Sequence, residues 1–204
     1  MDLNFRTASE IDNKAILGFY NNCPIVGKSI QLRSHRGDDF FKFLKYQAED
    51  YKVFVYEQKG EVQGVGTVLI RNGYINRSIE KVSYFGDLRV GSREAIKAWR
   101  DIYGEILRKW EYPVVTAVID ENQAAQKALI NSQKSDVIYE KLAQYRMVNI
   151  LGKKPWRKIS ACHLDCLEIR EANSGDQEDL INFLDKQNRM KEFGYCFNEG
   201  ELQR

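Results

Sequence analysis

The stretch KVSYFGDLRVGSREAIKAWRDIYGEILRKWEYPVVTAVI, Lys81 to Ile119, decides the fold. Its middle carries Ala95, Ala98, Trp99, Ile102, Tyr103, Ile106, Leu107 and Trp110, spaced alternately by 3 and 1, which is the apolar stripe of an amphipathic helix. Lys81 to Val90, ahead of it, reads as a strand. Pro113 then opens Val114 to Ile119, a β-branched run of the kind buried on both faces in a parallel pair. A strand, a helix of about four turns and a buried strand make a right-handed βαβ unit.

Outward from that unit the pattern stays α/β. Tyr51 to Tyr56 and Val62 to Ile70 are strand-like runs, and Gln58-Lys59-Gly60-Glu61 between them reads as a hairpin turn. Asp38 or Asp39 caps a helix carrying Phe40, Phe41, Phe43, Leu44 and Tyr46. Leu3 to Ala8 reads as a strand and Ile11 to Asn22 as a helix with Ile11, Ala15, Ile16, Phe19 and Tyr20 on one face, ended by Cys23-Pro24. Beyond the unit, Glu121 to Ser132 is a short helix and Tyr139 to Leu151 a strand.

A chain of 204 residues holds one domain or one and a half. Apolar residues at 43% and charged ones at 29% exclude disorder and collagen-like order. With 31 basic against 29 acidic side chains the net charge is +2, too small a field to imply nucleic acid. No run of about 18 apolar residues occurs, and the first residues lack the basic-then-apolar order of a signal peptide, so no membrane segment and a cytoplasmic location are expected. The four cysteines are expected as free thiols. Cys162, His163 and Cys166 have the wrong spacing for a zinc knuckle and no second ligand pair follows before Cys196, so no metal is expected.

Shifting the sequence by 164 residues aligns Leu3 with Leu167, Arg6 with Arg170, Ala8 with Ala172, Asp12 with Asp176 and Phe19 with Phe183, without a gap. One structural unit begins twice. The expected division is a domain over 3–152, a linker over 153–166 around Pro155, and a partial second repeat of strand plus helix over 167–204, with Leu180, Ile181, Phe183 and Leu184 on or near the buried side of that helix.

The order of elements over 3–151 resembles the GNAT superfamily of acyl-CoA-dependent N-acetyltransferases. Gly86-Asp87-Leu88-Arg89-Val90-Gly91-Ser92-Arg93 looks like the end of the family's fourth strand and the loop opening its third helix. Asp120-Glu121-Asn122 with Ala125 is similar to its exit from the fifth strand. The resemblance implies a mixed, splayed sheet of six or seven strands flanked by helices. It also implies acetyl-CoA as cosubstrate and a small-molecule or peptide amine as acceptor, with room for a homodimer. Two positions depart from the family pattern. Ile96 stands where the phosphate loop has glycine, and Leu129 stands where a tyrosine often serves as acid, Tyr139 being the nearest replacement.

The residues implied at the cosubstrate are Leu88, Arg89, Val90, Arg93, Glu94, Ala95, Ile96, Lys97, Ala98, Asn122 and Ala125, because backbone N–H groups and a helix start suit a diphosphate. Aligning amine and thioester also requires a base and an oxyanion donor. Glu80 and Asp87 are the candidate bases, with His35 a third, and the Val90 N–H is the candidate donor. A second reading of the same residues is a catalytically degenerate scaffold or binding domain, favoured by Ile96 and Leu129.

Overall fold

The computed structural model describes residues 3–129, 139–144, 170–197 and 200. Nine-residue and longer strands form where the sequence alternates or runs apolar: β4 (Asp50–Gln58), β5 (Glu61–Ile75) and β6 (Ser78–Val90) make an antiparallel meander. Both of its turns are two residues long, Lys59-Gly60 and Asn76-Arg77, all four with φ between 51° and 80°. Left-handed pairs of this kind match the twist of the strands they join. The first turn is the hairpin expected from sequence. The second extends the expected strands by several residues, because Asn-Arg gives no glycine signal.

β1 (Leu3–Thr7) adds antiparallel to β4, and β7 (Val114–Val115) adds parallel to β6, giving a five-stranded mixed sheet in the order β1-β4-β5-β6-β7. A separate two-stranded hairpin, β2 (Ile25–Val26) and β3 (Gln31–Leu32), follows the first helix. Among the described residues the sheet has five strands; the expectation was six or seven. Of Tyr139 to Leu151, read as a strand, residues 139–144 are not in the sheet, and 145–151 lie outside the described residues.

β7 is where the outermost expectation changes most. Val114 to Ile119 reads as one strand, yet only Val114 and Val115 pair, opposite Ser83 and Tyr84. The Thr116 hydroxyl still donates to the Phe85 carbonyl at 2.7 Å, and beyond it the chain leaves β6. The run is therefore half-buried with Ala117 exposed, not buried on both faces as expected, because it lines a wedge-shaped opening instead of a second ladder.

Helices cover both faces. α1 (Asn13–Asn22) follows a 3-10 turn, Glu10–Asp12, and with α2 (Phe40–Gln47) packs Ile16, Tyr20, Phe40, Phe41 and Leu44 onto Val53, Val55, Val65 and Leu69. Ile11, expected on that face, is 94% exposed, because the 3-10 turn rotates it away. Asp39 caps α2 through the N–H groups of Phe41 and Lys42. α3 (Arg93–Arg108) lies on the other face and buries Ala95 and Trp99, with Phe85 edge-on to Tyr103 and Trp110. α4 (Gln123–Leu129) completes that side. No helix among the described residues is long and apolar enough to cross a membrane.

The C-terminal region repeats the start of the chain atom for atom. Arg6 donates to Asp12 through two nitrogens at 2.9 and 2.7 Å, and the Ser9 N–H donates to Asp12 at 2.8 Å. Arg170 donates to Asp176 at 2.6 and 2.5 Å, and the Asn173 N–H donates to Asp176 at 2.8 Å. In both copies a 3-10 turn then runs into a helix, the second being α5 (Gln177–Asn188). Hydrogen bonds from Arg6 hold the Asp12 carboxyl down at about 2. After α5 the chain returns to the meander, where the Tyr74 N–H donates to the Gly194 carbonyl at 3.0 Å and the Phe193 N–H to the Tyr74 carbonyl at 2.7 Å. Residues 72–74 of β5 project past the end of β4, so this segment covers an edge that would otherwise be bare. The expected linker lies outside the described residues, as do Leu167 and the zinc candidates Cys162, His163 and Cys166.

Candidate functional site

The wedge between β6 and the chain after Val115 opens into a cleft of about 640 Å³. Its floor is a β-bulge. Thr67 pairs with Gly86 and Val65 with Arg89, so Asp87 and Leu88 together stand opposite Gly66. Asp87 takes φ 52° there, a left-handed conformation that costs a non-glycine residue about 1 kcal/mol and is upheld by its partners. Gly66 is required by contact rather than by φ: a Cβ on it would lie 2.6 Å from the Trp99 ring.

Asp87 is held from three sides. The Tyr20 hydroxyl donates to it at 2.8 Å, the Thr67 hydroxyl at 3.3 Å, and the Arg36 guanidinium forms an ion pair with it. Burial, then the Asp87 charge, pushes the Tyr20 hydroxyl up, so it stays a donor. Burial opposes the Arg36 charge most strongly of any single cause, but Asp87 and Tyr20 together outweigh it and the guanidinium is raised. Arg89 stacks 4.8 Å from the Tyr20 ring centroid and donates to the Leu88 carbonyl at 3.0 Å. The cation that pairs with Asp87 is thus not its strand neighbour Arg89 but Arg36, reaching across from the loop after β3.

Past the bulge, the Gly91 N–H donates to the Gln63 carbonyl at 2.9 Å, which fixes that edge of β6 toward β5. Strand alternation turns the Val90 peptide to the opposite, open edge. Its carbonyl there accepts from the Cys23 thiol at 3.8 Å. Burial pushes that thiol up, which keeps it protonated.

The far wall is formed by α3 and α4. Tyr103, Gly104 and Leu107 face Ala124, Ala125 and Ala128 across the opening. Asn122 caps α4 by accepting from the Ala125 N–H at 3.1 Å. The Tyr103 and Tyr139 hydroxyls lie 2.6 Å apart, and burial raises both. Over the mouth, the turn of the β2–β3 hairpin is tied to the β7–α4 connection. Glu121 accepts there from the Ser29 N–H at 2.8 Å and the Ser29 hydroxyl at 2.6 Å.

Of the residues expected at the site, Asp87, Leu88, Arg89, Val90, Ile96, Asn122 and Ala125 line the cleft. Glu80 does not. It is exposed opposite Gly73, seven positions and about 23 Å along the strand from Asp87. Arg93, Glu94 and Lys97 are exposed outside the lining, Ala95 is buried against Tyr56 and Trp99, and Ala98 packs on the same cluster. The reason is that β6 and α3 are joined by Gly91 and Ser92 alone. The Ser92 hydroxyl caps the Ala95 N–H at 3.1 Å, so Arg93 to Ala98 are helical turns and not a loop. At that start, only Ile96 of this stretch faces inward, with 52% of its surface exposed. His35 is exposed and accepts from the Gly37 N–H; its neighbour Arg36 is the residue that enters the site. Tyr20, Arg36, Thr67 and Cys23 carry no spacing motif. Tyr20 was legible only as a core position of α1.

No family model and no curated protein matches the chain. Solved structures do. A Bacillus halodurans protein, solved as a point mutant, superposes with a TM-score of 0.52 at 18% identity, covering 72% of this chain and 99% of its own. A Trypanosoma brucei acetyltransferase gives 0.45 at 17% over 72% and 100%. The glucosamine-6-phosphate N-acetyltransferase of Arabidopsis thaliana gives 0.43 at 17% over 70% and 100%. The likeness is one of fold. The chain has the GNAT-like α/β architecture, a mixed sheet flanked by helices and splayed beside its parallel strand.

Proposed function

We propose that on this GNAT-like fold the chain transfers an acetyl group from acetyl-CoA to a primary amine. One observation carries the reading: the bulge at Asp87 and Leu88 places a held carboxylate and the open-edge peptide of Val90 on the same floor of the cleft. When bound, acetyl-CoA supplies an activated thioester carbonyl. The slot between α3 and α4 fits its pantetheine arm, since three alanines of α4 leave a narrow apolar channel. The diphosphate end rests on fewer groups than the family's loop would give, namely the start of α3 beside Ile96.

In this reading the Val90 N–H stabilises the developing oxyanion, and Asp87 orients the incoming amine and receives its proton as Thr67 turns away. Tyr139, kept protonated by burial and hydrogen-bonded to Tyr103, stands where it can return a proton to the leaving sulfur. Glu80 has no part. A binding domain without turnover is the second reading, and Ile96 at the inner face of α3 favours it. Acetyl-CoA at 100 times its Kd adds about 2.7 kcal/mol of stability, visible as a raised melting temperature. Turnover of that acetyl-CoA with an amine supports the enzyme, a shift without turnover supports the binding domain, and no shift overturns both.

A further inference from the structure

The acceptor end of the cleft carries more positive charge than it neutralises. Arg36 and Arg89 lie against Tyr20 on the α1 side, with the Arg36 side chain 14% and Arg89 9% exposed. Among the described lining residues Asp87 is the one carboxylate, and Arg36 holds it through one nitrogen. The Arg36 Nε is buried without a partner. Among the described residues the partners of Arg89 are neutral: the Leu88 carbonyl, the Tyr20 hydroxyl at 3.4 Å and the Tyr20 ring. A buried cation left over in this way is costly until an anion meets it.

The segment above this end repeats the bias. Cys23 to Gly37 contains no acidic residue and includes Lys28, Arg33 and Arg36. Two carboxylates reach this segment: Asp87 pairs with Arg36, and Glu121 is taken up by Ser29 beside Lys28. Both guanidiniums lie against the Tyr20 ring, Arg89 at 4.8 Å and Arg36 at 5.8 Å from its centroid. Planar guanidiniums so placed match the two oxygens of a carboxylate or a phosphate. Both are on the α1 side, whereas the slot for the pantetheine arm runs between α3 and α4.

We infer that the molecule received at this end of the cleft is an amine that also bears an anionic group, carboxylate or phosphate, read by Arg36 and Arg89. The amine rests on the acetyltransferase reading; the anion site stands on the geometry alone. The test is calorimetric titration of the full chain with three matched probes: ethanolamine, O-phosphoethanolamine and β-alanine. At least one anionic probe is expected to bind about tenfold tighter than ethanolamine, and the tighter of the two names the anion.

Arg36→Gln is expected to abolish that preference, and Lys14→Gln, on the exposed face of α1, to leave it intact. Should Arg36→Gln fail to fold with Asp87 unpaired, Arg36→Gln/Asp87→Asn removes both halves of the pair and is expected to give the same loss. Equal affinity for all three probes, or a preference that survives these variants, overturns the inference. So does displacement of the anionic probe by CoA alone, which would assign the arginines to the cosubstrate. Titration with acetyl-CoA separates the two claims. Anion binding without acetyl-CoA binding supports the anion site and sinks the acetyltransferase reading, and the reverse result sinks the anion site only.

Discussion

At the residue scale, Asp87 is a floor residue with both oxygens engaged, and its removal separates chemistry from binding. Asp87→Asn keeps the shape and loses the charge, so turnover is expected to fall by about 10²-fold, with acetyl-CoA affinity within a few-fold. Steady-state rates beside calorimetry on both proteins check it, and unchanged turnover removes Asp87 from the chemistry. Ile96 gives the opposite kind of test. Ile96→Gly opens the start of α3, so CoA is expected to bind about tenfold tighter while the protein loses about 1 kcal/mol from a poorer helix. Stability loss without tighter binding would mean that this turn never meets a phosphate. Asp87 and Ile96 were both visible in sequence because they sit beside a strand end and a helix start. Arg36 was not, since an arginine in a polar loop is indistinguishable from a solvated one until Asp87, 51 positions later, is folded against it.

At the element scale, the bulge in β6 depends on a glycine one strand away. Gly66→Ala places a methyl against Trp99, and overpacking of this kind costs about 1 to 3 kcal/mol. Denaturant titration checks the loss, and an unchanged midpoint would mean that Trp99 moves freely. The β2–β3 hairpin is secured differently, by one exposed carboxylate. Hydrogen bonds from Ser29 lower Glu121 below its ordinary value, so the latch is complete above the ordinary carboxylate range and is lost only as pH falls below that range, through the lowered value. The protection factor of the Ser29 amide, its exchange rate relative to the intrinsic base-catalysed rate, is expected to fall on acidification, and Glu121→Gln is expected to remove that pH dependence. Neither feature could be read from sequence. Periodicity located α3 within two residues, because a helical stripe is a local property. It read six residues of strand at Val114 where two pair, because a β-branched run reports burial and not which surface does the burying.

At the scale of the whole molecule, the same local arrangement of a 3-10 turn leading into a helix occurs twice, in different surroundings. The first copy buries Ile16 and Tyr20 under the meander; in the second, Leu180 is 42% and Phe183 59% exposed, and α5 has no buried residue. Those two were expected on or near a buried side, and the difference is that α5 has no sheet of its own beneath it. Residues 167–204 made as a peptide are therefore expected to show no cooperative unfolding and no dispersed amide spectrum. A sharp thermal transition in that peptide would show that local capping alone suffices. The Arg170–Asp176 clasp was legible from its match to Arg6 and Asp12, since a gapless match needs no tertiary information. The docking of the chain after α5 on Asn72 to Tyr74 was not, because edge pairing is made by backbone atoms that every sequence shares.

The duplicated arginine–aspartate clasp makes the molecule its own control. The same donors meet the same oxygens at both ends of a 164-residue offset, once beside a packed core and once at a helix that has no buried residue. Whatever protection the amide of Asp12 shows beyond that of Asp176 is thus a direct reading of what tertiary cover adds to an unchanged local motif, taken within one chain, one solvent and one measurement.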